Sequence, residues 1–397
     1  MSRSTGRHFL QIPGPTNVPL SVLAAIAQPT IDHRGPDFRH LALEVLGGIA
    51  EIFKTQSPVV IYPSSGTGAW EAALVNTLSP GDKVLMAETG HFATLWRNIA
   101  RRLGLEVEFV PGDWRRGAVA AELESHLAED RAHRVKAVAV VHNETSTGAV
   151  SNIARVRRAL DDAHHPALLM VDTISSLASI DYRHDEWQVD VTVGGSQKGL
   201  MLPPGLAFNA ISDKARAASR DARLPRAYWD WGDMLAANAD GYFPYTPATN
   251  LLQGLKVALE LLREEGLPAV FARHDRAAEA TRRCVRHWGL EIWCDEPADY
   301  SSSLTAARMP EGHSADALRA DILGQASVSL GNGLGRLADR VFRIGHLGDF
   351  NDASILGALA AIESALLSRG VPAQAGGVSQ AISYFAQKRR PMRAAAE

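Results

Sequence analysis

The sequence predicts an α/β fold: a large domain on a mostly parallel, seven-stranded sheet, followed by a smaller α+β domain. Three observations carry that expectation. Between about Pro58 and Ser212, seven short apolar runs alternate with helix-period stretches, the pattern of a sheet covered on both faces. After Asp213 the chain becomes helical, with two long amphipathic segments. From Leu290 onward strand patterns return, separated by helix-like stretches. A chain of 397 residues has room for two or three domains.

Each element has a local reason. Pro36 and Asp37 suit the first turn of a helix running to about Lys54, where a missing N–H costs nothing and a negative charge meets the positive helix end. Val59 to Tyr62 is the first strand of the alternating region. Ser64-Ser65-Gly66-Thr67-Gly68 then opens a helix through Trp70, Leu74 and Leu78, and Ser79-Pro80-Gly81-Asp82 turns into Val84 to Met86. Val107 to Val110, Ala137 to Val141, Leu168 to Val171, Val191 to Val193 and Leu206 to Ile211 complete the sheet. Asn250 to Glu264 and Val270 to Trp288 are the long helices. Leu290 to Trp293, Ser303 to Arg308, Val328 to Leu330 and Val341 to Ile344 are the strands of the small domain, which ends with a helix from Asp352 to Leu367. The division expected is an N-terminal segment (1–30), a large domain (31–265), a small domain (266–372) and a tail (373–397) rich in Ala, Gln and Arg and poorly ordered at its end. No internal repeat is present.

Composition narrows the function classes. Lys and Arg number 41 against 44 Asp and Glu, a formal charge of −3, so there is no electrostatic case for nucleic acid or an anionic membrane as partner. Cys284 and Cys294 stand alone, without the companions of a disulfide framework or a zinc site. No apolar run approaches the ~18 residues of a membrane span, and Met1 to Arg7 lacks the apolar region of a signal peptide, so the expected location is cytoplasmic. Asn143-Glu-Thr145 matches a glycosylation pattern that has no meaning without secretion.

Chemistry enters at Lys198, in Val-Thr-Val-Gly-Gly-Ser-Gln-Lys-Gly, with Val-Asp172-Thr 26 residues earlier (198 minus 172) at the end of an apolar run. A lysine on a polar loop after a buried strand can form an imine with an aldehyde. An aspartate at a neighbouring strand end can keep a pyridine nitrogen protonated. Together they make an electron sink of the pyridoxal 5'-phosphate kind. Ser65 to Gly68 fits the same cofactor: glycines let backbone N–H groups approach a phosphate, hydroxyls add donors and the helix start favours negative charge. In isolation that stretch reads as ordinary Ser/Thr capping; beside Lys198 and Asp172, phosphate binding leads. Gly331-Asn-Gly-Leu-Gly335 lacks the spacing and context of a dinucleotide loop and reads as a plain loop.

With Pro13 to Pro19, Ile31-Asp-His-Arg34-Gly, His142-Asn-Glu-Thr-Ser-Thr-Gly148 and Phe342-Arg-Ile-Gly345 added, the chain resembles the class V aminotransferase family of fold type I pyridoxal-phosphate enzymes over nearly its whole length. The similarity is to the branch of serine-glyoxylate and alanine-glyoxylate aminotransferases. It implies that Lys198 links to the cofactor and moves the substrate proton, and that Asp172 pairs with the pyridinium nitrogen. Ser65, Gly66, Thr67, Gly68 and Gln197 fall at phosphate positions, Phe92 against the ring face, and Thr145 at the phenolic oxygen. Thr246 falls where a residue reaches the phosphate of a neighbouring subunit, which makes the active unit a homodimer. Arg343 falls at the arginine that forks onto the substrate carboxylate; an arginine within Val341-Phe-Arg-Ile is itself unusual for an idle surface charge.

The reaction implied moves nitrogen from an amino acid to glyoxylate. Serine leads as donor, giving hydroxypyruvate, with aspartate and alanine as alternatives. Arg34 reads as structural at a subunit contact, ahead of a role with a second carboxylate. A desulfurase needs a reactive cysteine, and Cys284 and Cys294 read as structural. Elimination on serine shares the proton abstraction and would release pyruvate and ammonia. A non-catalytic binding module is disfavoured because Lys198, Asp172 and Arg343 are all present.

Overall fold

The structure is a computed structural model that describes residues 7–388. In chain order the first half comprises β1 (Phe9–Gln11), α1 (Leu20–Ile26), α2 (Pro36–Phe53), β2 (Val59–Tyr62), α3 (Gly66–Thr77), β3 (Lys83–Ala87), α4 (His91–Arg102), β4 (Glu106–Val110), α5 (Ala120–Glu129), β5 (Val135–Val141), the short pair β6 (Asn143–Glu144) and β7 (Ala149–Val150), α6 (Ile153–Asp162), β8 (Leu168–Asp172), β9 (Val191–Gly195) and β10 (Ala207–Ile211). The second half comprises α7 (Asp213–Asp221), α8 (Trp231–Ala239), α9 (Thr249–Glu265), α10 (Leu267–His287), β11 (Glu291–Ile292), β12 (Leu304–Arg308), α11 (Ala315–Ala326), β13 (Val328–Asn332), β14 (Val341–Gly345), α12 (Asp352–Ser368) and α13 (Gly377–Gln387).

The large sheet has seven strands in the order β2-β10-β9-β8-β5-β3-β4, as expected. Only β10 runs against its neighbours. The loop between β9 and β10 holds no crossover helix, so the chain turns back instead of continuing parallel. Alternate residues feed two cores. Val138, Val140, Leu169 and Val171 pack under α2, α5, α6 and α9, whereas Ala137, Ala139 and Met170 pack under α3, α4 and α8. Burial on both faces explains the near-continuous apolar runs, and each buried Val or Leu contributes roughly 1.5–3 kcal/mol.

The small unit is a five-stranded sheet, β1-β13-β14-β12-β11, backed by α10 to α12. Its edge comes from the N-terminal segment: β1 pairs parallel with β13, Phe9 opposite Val328. A three-residue strand has too little alternation to announce itself in sequence. The expected plain loop at Gly331 to Gly335 is corrected: Gly331 and Asn332 end β13 and pair with Arg343 and Phe342. The stretch from Pro372 is also more structured than expected, since α13 packs Ala381 and Phe385 against the small domain's core. The poorly ordered end expected of that tail lies outside the described residues. Among the described residues, no helix is long and apolar enough to cross a membrane, and no cluster of three metal-ligating side chains occurs.

Candidate active site

The parallel strands end on one side of the large sheet, and the candidate residues sit beyond those ends, where ligands bind in open α/β folds. Lys198 follows β9. Its loop is fixed by Ser196, whose backbone N–H bonds to Leu206 O at 3.0 Å and whose hydroxyl bonds to Pro203 O at 2.8 Å. The lysine is 8% exposed. Its Nζ donates to the carbonyl of Pro13, and the N-terminal segment lies against it. Gly14 has φ +101°, and a Cβ there would sit 2.3 Å from Lys198 Cδ, so backbone conformation and space both demand glycine. Thr16 completes the clamp, its N–H to Gln197 O at 3.2 Å and its hydroxyl to Lys198 O at 3.2 Å. Burial and the nearby Arg343 pull the lysine amine down to about 7, with Asp172 opposing.

Asp172 ends β8, between Val141 of β5 and Val193 of β9. It is 4% exposed. Oδ1 accepts from Ile174 N–H at 2.7 Å and Oδ2 from the Trp70 indole at 3.1 Å. Burial pushes its carboxyl up to about 7; Glu144 adds to the shift, while the two N–H groups and Lys198 resist it.

The start of α3 has no side-chain cap. Ser65 occupies the N-cap position and makes no side-chain cap bond, so the capping reading is not realised. The N–H of Gly68 is taken by Ser65 O at 2.9 Å, but those of Gly66 and Thr67 have no intrahelical acceptor. A Cβ on Gly66 would fall 2.2 Å from Ile174 Cδ1, and one on Gly68 2.2 Å from Ser64 Oγ. Gln197 Oε1 is buried without a partner, and a Cβ on Gly195 would be 3.2 Å from it and 3.8 Å from Gly66 N. The Gln197 amide and the helix start therefore border one small space.

Phe92 stands in the first turn of α4 and packs partly buried against the core under that helix. The turn is capped from the β6–β7 hairpin. Glu144, with 0% exposure, accepts from Phe92 N–H at 3.2 Å, Ala93 N–H at 3.1 Å and the Ser146 hydroxyl at 2.6 Å. The Ser146 hydroxyl oxygen in turn accepts from His91 N–H at 2.9 Å. Thr145, in the same hairpin, bonds to Ser175 Oγ at 2.7 Å. Arg343 reaches in from β14 of the small sheet, 7% exposed. Nε donates to Asn332 O at 2.7 Å and Nη1 to Thr145 O at 2.8 Å. Nη2 donates to no protein atom among the described residues. Burial lowers the guanidinium to about 10, against the pull of Glu144. The packing is continuous from Lys198 through Pro13 to Gly331, where a Cβ would lie 2.8 Å from Pro13 Cδ and 3.0 Å from Arg343 Cβ.

Lys198, Asp172, Thr145 and Arg343 thus lie together. Ser65 and Thr67 are exposed at the rim. Thr246 is exposed on the α8–α9 connection, next to Tyr245, and no hydrogen bond, ion pair or ring contact ties it to the Lys198 group. Arg34 is exposed as well. Sequence reasoning missed Trp70, Glu144 and the Pro13–Gly14 contact. Glu144, a charged residue amid small polar ones, was the available signal. Cys284 and Cys294 are buried, and burial pushes both thiols up, Cys294 to about 12, leaving neither a reactive thiolate.

Comparisons with known proteins agree with this geometry. A family model described as aminotransferase class-V matches residues 8–334. An L-aspartate–glyoxylate aminotransferase of Paracoccus denitrificans is 46% identical over 385 residues, 96% of this chain and 97% of the relative. A serine–glyoxylate aminotransferase of Methylorubrum extorquens is 46% identical over 391 residues, 97% of both. Among solved structures, an alanine–glyoxylate aminotransferase from Nostoc superposes with a TM-score of 0.86 at 29% identity, covering 92% of this chain and 97% of that one.

Proposed function

Because this chain belongs to the class V aminotransferase family and has the fold of its fold type I members, we propose that it carries the amino group of L-serine to glyoxylate, giving hydroxypyruvate and glycine, with pyridoxal 5'-phosphate as cofactor. The observation that carries this reading is the convergence of three buried charged groups, Lys198, Asp172 and Arg343, at the carboxyl ends of the strands. Charges are buried together only where they are paired or used.

The residues fit the cofactor. Gln197 carries an unpartnered side-chain oxygen beside the Gly66 N–H, so its amide is free to turn and donate from Nε2 to a phosphate at a helix start with no acidic residue in its first turn; Ser65, Thr67 and Gly68 complete that cradle. Asp172 would hold the ring nitrogen, Phe92 the ring face and Thr145 the phenolic oxygen. When bound, pyridoxal phosphate supplies an aldehyde that carries nitrogen and a ring that withdraws electrons.

The chain's own groups do the rest. Arg343 grips the α-carboxylate of either substrate, its plane set by the carbonyls of Asn332 and Thr145. The Lys198 amine, held near 7, can take a proton from the substrate α-carbon and return it at neutral pH. Pro13 to Thr16 cover the lysine and keep water from it. Serine is favoured as donor because the cations coupled to Lys198 and Arg343 are each other and Arg319, which Asp316 and the Leu330 carbonyl already engage, and burial lowers the pKa of His91, so no unengaged charge among them awaits a second carboxylate. Aspartate is the second reading, supported by the relative named for that donor. Arg34, exposed in this chain, is the arginine it would use. The same reading makes the protein a cytoplasmic homodimer in which Thr246 reaches the neighbour's phosphate, consistent with its position outside its own chain's cluster.

A panel of serine, aspartate, alanine and cysteine against glyoxylate tests this with cofactor-loaded enzyme. Hydroxypyruvate as the dominant keto product is expected. Oxaloacetate would transfer the assignment to aspartate, and no glycine from any donor would refute amino transfer.

A further inference from the structure

We propose that Trp70 is a positioning residue whose indole N–H holds Asp172 ionised and aimed at the ring nitrogen; the inference rests on the reading that Asp172 pairs with that nitrogen. Trp70 lies on α3, four residues after Gly66 (70 minus 66), so one rigid helix carries both the phosphate-facing N–H groups and the indole. The indole and the carboxylate are 1% and 4% exposed, and their bond is 3.1 Å. Such a donor stabilises the charged form of a carboxylate more than the neutral one. Burial, with Glu144 adding, discourages ionisation of Asp172 and raises its carboxyl to about 7; the donor bonds from Ile174 N–H and Trp70, with Lys198, hold it back from rising further, so losing the indole removes one of the few groups that favour the charged form.

A buried tryptophan often bonds to whatever acceptor is near, simply to satisfy its N–H. Trp96 argues against that account here. It stacks on Trp70 with centroids 5.8 Å apart and planes 12° apart, it is 0% exposed, and its Nε1 has no partner. This core therefore tolerates an unsatisfied indole, and the two rings share one packing environment while only Trp70 touches the aspartate.

The pair supplies its own control. W70F and W96F both trim the stack, and only W70F removes the bond to Asp172. In full-length enzyme loaded with pyridoxal 5'-phosphate, release of the cofactor on dilution and the pH titration of its visible absorbance are read beside the melting temperature. W70F is expected to release cofactor about ten-fold more readily, the loss typical of one hydrogen bond to a charged group, and to shift the absorbance titration. W96F should lower the melting temperature alone. In a D172A background, W70F should add nothing further. The proposal is overturned if W70F holds cofactor as the wild type does, if W96F shifts the titration as far, or if W70F keeps its full effect on D172A. D172A that itself holds cofactor normally would remove the premise, and the proposal with it. W70M replaces W70F if the phenylalanine variant does not fold.

Discussion

Arg343, on the small sheet, donates from Nη1 to the main-chain carbonyl of Thr145, beside the ends of the large sheet's strands, at 2.8 Å. That bond holds a buried guanidinium of the small sheet against the β6–β7 hairpin beside the large one. Its Nε is held equally firmly by Asn332 O. On the role proposed for Arg343, the pose of the substrate carboxylate is set by how the two sheets pack.

Arg343→Ala should therefore lower kcat/KM for the amino donor and for glyoxylate alike, by about 10²-fold or more, since each loses a charge-assisted grip. Arg343→Lys should recover little, because an ammonium cannot reproduce the planar fork. Steady-state kinetics with each substrate varied check this.

Lys198 gives a pH signature. Only the neutral amine attacks an aldehyde, and burial together with Arg343 lowers this amine from 10.5 to about 7. The rate at which stripped enzyme captures pyridoxal phosphate should rise as pH increases through about 7 and level off above it. Stopped-flow absorbance measures the profile; a rise delayed until about pH 10, the ordinary range for lysine, would contradict it.

Gly14→Ala should impair the site without touching any polar group. The left-handed backbone (φ +101°) costs an alanine about 1 kcal/mol, and its Cβ would press into the Lys198 side chain. Cofactor retention should fall much further than the melting temperature does.

Glu144→Gln should destabilise the fold by ~2 kcal/mol. The buried carboxylate accepts two N–H groups at the start of α4 and the Ser146 hydroxyl, and an amide loses both the charge and one acceptor. Denaturant unfolding reads the change. Phe92, which the cap holds, should lose order with it.

Thr246→Ala tests the shared site. Each single variant, T246A and K198A, should be weak or inactive. Mixed dimers of the two should regain activity if the residues serve one site from opposite subunits, because one of the two sites is then intact. Absence of any recovery, in dimers shown to have mixed, would refute the shared arrangement.

The parts that could be read from sequence are those whose causes are local. Strands β5 and β8 announce themselves because both faces are buried, and Lys198 and Asp172 stand out as charges at the ends of such runs. The parts that could not are made by distant partners. β1 becomes a strand only by pairing with Val328, 319 residues on (328 minus 9). Glu144 caps a helix that begins about fifty residues before it, and Trp70 finds Asp172 across 102 residues. α13 was obscured by the Ala- and Gln-rich composition around it, although Ala381 and Phe385 supply the buried stripe that docks it.

Isotope flow distinguishes amino transfer from serine to glyoxylate from elimination on the same donor. With 15N-serine and unlabelled glyoxylate, the label should appear in glycine, one per hydroxypyruvate formed. Label released as ammonia, with pyruvate as the keto product and unlabelled or absent glycine, would make the enzyme a lyase and rule out amino transfer.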